Sequence, residues 1–163
     1  MYNKIKFASE LGLVIWTPNK DYIELSKLGK EYVASVDNLF QDQTSDKQIG
    51  LLRNYIMQNP YSSSVVLGIA ALVESVFALA KNIYPVSLSQ LISYFTCYSG
   101  KIYDWQTPKS QFNGMKMYSN YAIDLGLLAK NNEHVYLTPD GFKFVIQMQL
   151  HKSIKLINDL SVV

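Results

Sequence analysis

The chain has 163 residues, of which 48% are hydrophobic, and its lysines and arginines outnumber its acidic residues to give a net charge of +2. This length supports one or two small globular domains, and the apolar content excludes a disordered chain. The charge is too small to indicate nucleic-acid binding by itself, since domains of that kind are often strongly basic. Arg53 is the only arginine, so bidentate readout of guanine by arginine is almost excluded.

The single cysteine and the longest apolar run bear on the cellular compartment of the protein and on whether it crosses a membrane. Cys97 stands alone, which excludes an internal disulfide and a cysteine-rich zinc site, and we expect it to be a small buried hydrophobe. With no signal-peptide pattern, this favours a reducing, cytoplasmic setting. Residues 65–80 are apolar except for Glu74 and Ser75, and the run is shorter than the roughly 20 residues of a membrane span. We therefore expect a core helix there and no membrane partner.

The first part of the chain is predicted to contain a helix end, a wing and then helices. Residues 7–14 read FASELGLV, and Ser26 is placed to cap a helix over residues 25–40. A further helix is predicted from Ser45, with Gln48 at the capping-box position, to the Asn-Pro pair at 59–60. The helix predicted over residues 62–80 would open a second domain. We therefore expect a first domain over 1–60 and a second over 61–163.

The second part is predicted as a short extended piece at 84–86, a helix capped by Ser87 with Gln90, and a loop over 97–106. Thr107 is a favourable N-cap, Pro108 suits the first helical position, and Gly126 suits a left-handed helix end. Apolar and small residues at spacings of three and four predict a buried stripe on this helix, formed by Phe112, Met115, Ser119, Ala122 and Leu125.

A hairpin and a long helix are predicted to close the chain. Residues 127–128 are expected to pair with 135–137 around the turn Asn131-Asn132-Glu133. Thr138 and Pro139 then open a helix that extends to about residue 159. Spacings of three and four predict one broad apolar face on this helix, which contains Phe142, Val145, Ile146, Leu150, Ile154, Ile157 and Leu160.

Part of the chain is repeated. FASELGLV at 7–14 is similar to YAIDLGLL at 121–128, and LSKLGKEYV at 25–33 is similar to LTPDGFKFV at 137–145. The unit of helix end, wing and following helix therefore occurs twice. The repeat aligns Met1 with Met115, so we expect a fragment of a longer protein or a degenerate first copy. In that copy the core face of Ile5, Phe7 and Leu11 would be short of partners, and we expect the later helices or a second chain to cover it.

The order of helix, LGLL, short hairpin and LTPDG resembles the second half of a winged helix-turn-helix domain, over 62–150 and in part over 7–33. The resemblance implies a mainly α (α+β) fold, a winged helix-turn-helix with small β-hairpin wings in a partial tandem repeat. The tyrosine-, asparagine- and lysine-rich composition is also similar to the DNA-recognition regions of type IIS restriction endonucleases. That likeness implies a nuclease domain or partner subunit beside these residues, in a restriction enzyme or a regulator.

Candidate DNA-binding residues come from the helix that begins after Thr107. Asparagines on such a helix can pair with adenine in the major groove, and lysines can reach guanine acceptors or phosphates. The polar stripe at i, i+4, i+7 and i+11 consists of Lys109, Asn113, Lys116 and Asn120. The other candidates are expected to contact the DNA backbone or minor groove, and they are Lys101, Gln106, Thr107, Ser110, Lys130, Asn131 and Asn132. The alternative interpretation is that the stripe is an ordinary solvated helix face.

Aromatic residues near this helix leave two interpretations open. Tyr103, Trp105, Tyr118 and Tyr121 can stack on nucleic acid, although aromatics at helical spacing more often form core.

We predict no catalytic residue, no metal site and no cofactor in these residues. His134 and His151 are the only histidines, and neither has a nearby carboxylate that would complete a catalytic dyad. The sequence contains no phosphate-binding glycine loop, no metal-ligand spacing and no Asp…Glu-x-Lys arrangement of a nuclease. Two hypotheses remain, sequence-specific recognition of double-stranded DNA and a winged-helix scaffold that binds protein. Recognition of two half-sites would require a homodimer.

Overall fold

The structure is a computed structural model that describes residues 2–16, 22–36, 44–99 and 105–160. These residues form helices and two small antiparallel sheets, so the fold is α+β and mainly helical, as expected from the sequence. The chain separates into two compact units, Met1–Leu67 and Gly68–Val163.

In the first unit, helix α1 (Tyr2–Glu10) leads to an antiparallel hairpin of β1 (Val14–Trp16) and β2 (Ile23–Leu25). Helices α2 (Lys27–Ala34) and α3 (Asp46–Gln58) follow. Ser26 caps α2, and Ser45 with Gln48 forms a capping box at the start of α3, so both predicted caps are confirmed. The prediction that α2 extends to residue 40 is wrong, because the helix ends at Ala34 and Ser35 is its C-cap.

Helix α4 (Ser64–Ala80) contains the division between the units, and the remaining elements belong to the second unit. They are β3 (Val86–Ser87), α5 (Leu88–Ser99), α6 (Pro108–Asp124), β4 (Leu128–Asn131), β5 (His134–Leu137) and α7 (Pro139–Leu160). The three strands form an antiparallel sheet in the order β3-β5-β4. Ser87 and Gln90 form the predicted cap of α5.

The core of the second unit is built around α4, which is buried at every residue from 68 to 76. This confirms the predicted core helix. Side chains from the rest of the unit complete this core, and those that are at most 1% exposed include Leu91, Phe95, Met115, Leu127, Val135, Val145 and Met148. None of the helices in the described ranges combines the length and apolarity that a bilayer crossing requires.

The structure corrects two further expectations. Helix α5 continues to Ser99, so residues 97–99 are helical and not part of the predicted loop. Cys97 is exposed on that helix, and the expectation of a buried cysteine is wrong. The helical register explains the exposure of Cys97, since Phe95 and Ser99 occupy the inner side of the last turns and Cys97 falls outside it.

The junction between α6 and the β4–β5 hairpin is held by a glycine and a hydroxyl. Gly126 has a φ of +67° and ends α6, because its N–H and that of Leu127 bond back to the carbonyls of Ile123 and Ala122. The hydroxyl of Thr138 donates to the Gly126 carbonyl at 2.7 Å and accepts from the N–H of Gly141 at 2.9 Å. A Cβ on Gly141 would lie 1.9 Å from the Leu127 carbonyl oxygen, so only glycine fits there.

The first unit repeats this junction nearly atom for atom. Gly12 ends α1 with a φ of +72°, and the hydroxyl of Ser26 donates to its carbonyl at 2.6 Å. The same hydroxyl accepts from the N–H of Gly29 at 2.9 Å, and a Cβ on Gly29 would lie 1.9 Å from the Leu13 carbonyl oxygen. The sequence repeat is therefore a structural repeat, and we call each copy a helix–hairpin lock.

The two copies differ in what surrounds them. In the second unit β5 pairs with both β4 and β3, and its Val135 is fully buried. Within the described residues β2 pairs only with β1, and its Ile23 is 46% exposed. Leu11 is buried and Ile5 and Phe7 are partly buried, so other residues of the chain cover the face that the truncated copy alone would leave open. The exposed apolar side chains of this unit include Ile15 of β1, Ile23 and Leu25 of β2, and Val33 of α2.

Candidate nucleic-acid interface

Helix α6 begins with the predicted N-cap. The Thr107 hydroxyl accepts from the N–H of Ser110 at 3.1 Å, the Ser110 hydroxyl accepts from the N–H of Thr107 at 3.1 Å, and Pro108 is the first helical residue. This capping box stabilises the helix start. Both hydroxyls are engaged in it, so a phosphate at this helix end would have to share them.

The inner side of α6 is fixed by an aromatic cluster. The ring of Trp105 lies over Gly114, where an added Cβ would be 2.5 Å from the ring. Trp105 is also 5.3 Å from Phe95 of α5 between ring centroids, and Tyr118 is 5.9 Å from Phe95. Tyr118 is only 3% exposed, so it belongs to the core and does not present a stacking surface. The cluster therefore anchors α6 against α5.

Tyr121 lies at the margin of this cluster. Its ring is 6.1 Å from that of Tyr118, and it is half-buried. Burial and the negative charge of Asp124 raise the pKa of Tyr121, so its phenol stays neutral. Tyr103 lies outside the described residues.

The outer side of α6 carries the predicted polar stripe. Lys109, Asn113, Lys116 and Asn120 are all exposed and follow one another along one face of the helix. At 1.5 Å per residue the stripe extends over roughly 16 Å. Asp124 is the only acidic residue of α6 and lies at its last position, so the stripe itself carries positive and neutral polar groups.

Two apolar side chains flank this stripe, and the sequence analysis missed both. Phe112 was expected to be buried, but it is 43% exposed, and Met117 is 40% exposed on the other edge of the stripe. The remaining predicted inner residues are buried. The buried arc of α6 runs from Gly114, which packs against Trp105, through Met115 and Tyr118, and Phe112 lies beyond its margin at about 100° from its centre. Helical spacing alone could not show this, because Trp105 comes from the preceding loop.

The hairpin after α6 places the other candidates at its tip. Lys130 and Asn131 end β4, Asn132 begins the turn with a φ of +51°, and all three are exposed. Asparagine tolerates this left-handed conformation better than most residues. The register pairs Asn131 with His134, so the turn contains Asn132 and Glu133 and is one residue shorter than predicted.

The remaining candidate residues and both histidines lie outside α6. Gln106 is exposed just before α6, whereas Lys101 lies outside the described residues. His134 is exposed at the start of β5, and His151 is exposed on α7. Across the described ranges, no group of three or more His, Cys, Asp or Glu side chains could hold a metal ion.

No protein family, curated protein or solved structure matches this chain.

Proposed function

We propose that this chain recognises a specific sequence in double-stranded DNA, with α6 in the major groove and the β4–β5 hairpin as a wing. The observation that carries the proposal is the exposed polar stripe on the helix that directly precedes the hairpin. The order of helices and strands from α4 to α7, with the sheet order β3-β5-β4, supports a winged-helix interpretation of this unit. In helix-turn-helix proteins the corresponding helix enters the major groove.

The side chains on α6 favour recognition of A·T base pairs. Asn113 and Asn120 offer the amide groups that bond bidentately to adenine, and exposed Phe112 offers an apolar surface for the methyl group of thymine. Lys109 and Lys116 supply phosphate contacts or reach guanine acceptors. The hairpin residue Lys130 would contact the DNA backbone.

The proposal gives these residues a recognition role and no catalytic role. A nuclease or regulatory activity would then belong to an adjoining domain or partner subunit, as in the restriction enzymes that the sequence resembles. The single cysteine supports a cytoplasmic setting.

A second function is favoured by one observation. Phe112 and Met117 are exposed on the same helix face, and apolar groups there also suit a protein partner. In that case the unit would be a protein-binding scaffold, and it would not bind DNA.

Fluorescence anisotropy with a random-sequence duplex, at about 50 and 200 mM salt, separates the two functions. DNA recognition predicts binding that weakens steeply with salt, followed by enrichment of A·T-containing sites on selection. Absence of binding at the lower salt would refute DNA recognition and leave the scaffold function.

Two variants on the selected site then test the assignment of α6. Asn113→Ala should reduce the binding free energy for that site by about 1–3 kcal/mol and relax the base specificity. Lys116→Ala should weaken binding to all sequences alike and reduce the slope of log K against log salt by about 1. Asn54→Ala and Lys47→Ala, which change exposed residues of α3, are the matched controls. If the α6 variants bind DNA with the same affinity and specificity as these controls, α6 is not the recognition helix.

A further inference from the structure

Helix α7 has apolar residues on two opposite sides. One side faces the core of the second unit, where Phe144, Val145 and Met148 are at most 3% exposed. The other side, roughly opposite on the helical wheel, faces outward. We call it the outer stripe, and its members are 47–62% exposed: Phe142, Ile146, Leu150, Ile154 and Ile157. An apolar helix face is normally covered, so this stripe indicates an interface.

A polar network around the buried carboxylate of Glu74 holds α7 in this orientation. The ammonium of Lys152 lies 2.6 and 2.7 Å from the two carboxylate oxygens of Glu74 on α4. Tyr98 of α5 and Gln149 of α7 each donate a hydrogen bond of 2.9 Å to the same carboxylate. Rotating α7 to bury the outer stripe would break this network and expose the inner side. The stripe therefore stays on the outside of the second unit.

The spacing of the outer stripe is symmetric about Leu150. Ile146 and Ile154 lie four residues before and after it, and Phe142 and Ile157 lie eight before and seven after. In an antiparallel pair of α7 helices, Leu150 would thus meet Leu150 of the other copy, and Phe142 of each copy would meet Ile157 of the other. Such self-complementarity is what a twofold interface requires.

A groove beside Phe142 fits the same arrangement. It has a volume of about 570 Å³, and its walls include Phe77, Tyr84 and Leu137. The Phe77 and Phe142 rings lie 5.9 Å apart between centroids. In the antiparallel pair, the last turns of the other copy's α7, where Leu156 is 63% exposed, would come to this end of the stripe.

We propose that the outer stripe is the interface of a homodimer, in which two α7 helices pair antiparallel about Leu150. About half of each of the five stripe side chains is exposed, which amounts to an order of 500 Å² per copy and 1,000 Å² in the pair. This reaches the lower limit of a specific interface before the grooves are included. The inference does not depend on DNA binding.

The mass of the 163-residue chain in solution tests the dimer. Light scattering after size exclusion should give twice the chain mass of 18.6 kDa. Leu150→Asp should give 18.6 kDa, because two aspartates would meet at the twofold axis, and Gln147→Asp, with the same new charge on an exposed flank of α7, should stay dimeric. Unchanged circular dichroism would show that both variants fold. A monomeric wild type at about 100 μM, or a Leu150→Asp variant that remains dimeric, would overturn the proposal.

Cross-linking tests the antiparallel orientation. In a Cys97→Ser background, a single cysteine replaces either Leu150 or Phe142. Oxidised glutathione serves as the oxidant, because it accepts the two electrons and two protons released when two thiols form a disulfide. Leu150→Cys should form a covalent dimer. Phe142→Cys should not, since two Phe142 positions would lie more than about 20 Å apart, far beyond disulfide reach. Cross-linking of both variants would indicate a parallel pair, and cross-linking of neither, or of Phe142→Cys alone, would equally overturn the proposal.

Discussion

Replacing Lys152 by methionine should leave the carboxylate of Glu74 buried without its counter-charge. The Glu74 side chain is 7% exposed, and the Lys152 ammonium is 2.6 Å away. Breaking a buried ion pair by removing one partner typically costs about 3–5 kcal/mol. Here Tyr98 and Gln149 would still donate hydrogen bonds to the carboxylate, and the Lys152 side chain is 28% exposed, so water solvates part of the site. We therefore expect a loss of about 2–3 kcal/mol in the free energy of unfolding.

The double variant Glu74→Leu/Lys152→Met should recover most of this loss. Both charges are then absent, and an apolar pair of similar volume is often neutral relative to a buried ion pair. Tyr98 and Gln149 are exposed, so their polar groups can bond to water once the carboxylate is gone.

Urea unfolding measures these effects. Fluorescence of Trp105 in a Trp16→Phe background reports the second unit, and Lys143→Met is the matched control. The Lys143 ammonium lies 4.0 Å from Asp140 and its side chain is 75% exposed, so that change should cost less than about 0.5 kcal/mol. Equal costs for the two lysine variants, or a double variant less stable than Lys152→Met, would refute the reasoning.

Three further predictions concern the proposed DNA contact, the helix–hairpin lock and pH. Replacing a contacted thymine by uracil should weaken DNA binding about fourfold, the value of one buried methyl group, and Phe112→Ala should bind both duplexes equally in anisotropy. A thymine preference that survives in Phe112→Ala would contradict this contact. In thermal unfolding, Gly141→Ala should destabilise the chain by several kcal/mol through its clash with a carbonyl oxygen. Gly50→Ala, where nothing lies within 4 Å of the new Cβ, should stabilise it by about 0.5–1 kcal/mol, and equal effects would contradict the lock. Burial lowers the pKa of Lys152, but the hydrogen bond to Glu74 and the negative charge of Glu74 outweigh burial and raise that pKa. Burial and the charge of Glu74 also raise the pKa of Tyr98. Both groups hold their protons more tightly when folded, so their contribution should be complete below about pH 10 and lost as pH rises through the folded pKa values. Urea midpoints between pH 8 and 11 would show this, and a midpoint that rises with pH would contradict it.

The local signals in the sequence were sufficient for the helix boundaries that depend on one or two residues. The caps at Ser45 and Thr107 and the left-handed end at Gly126 follow from backbone hydrogen bonding within a few residues, which the sequence specifies directly. The repeat was visible for the same reason, because its glycines and hydroxyls have fixed spacing.

The sides of the helices that face the core could not be predicted in this way. Periodicity showed that Phe112 and Ile146 belong to apolar stripes, but burial depends on which other element covers a stripe. Trp105 packs against the Gly114 side of α6, the Lys152–Glu74 pair fixes the rotation of α7, and Phe112 and Ile146 remain exposed. Both deciding contacts come from residues distant in sequence or from charged groups that a hydrophobic pattern ignores.

The edge of β2 has a consequence for the behaviour of the chain in concentrated solution. Within the described residues β2 pairs on one side only, and Ile23, Glu24 and Leu25 are all exposed. An open apolar strand edge is a template for edge-to-edge association, which natural proteins oppose with charged residues. Glu24 supplies such a charge between the two apolar side chains. The resistance of this edge to fibril-like stacking would therefore depend on the negative charge of Glu24, and Glu24→Gln would weaken it.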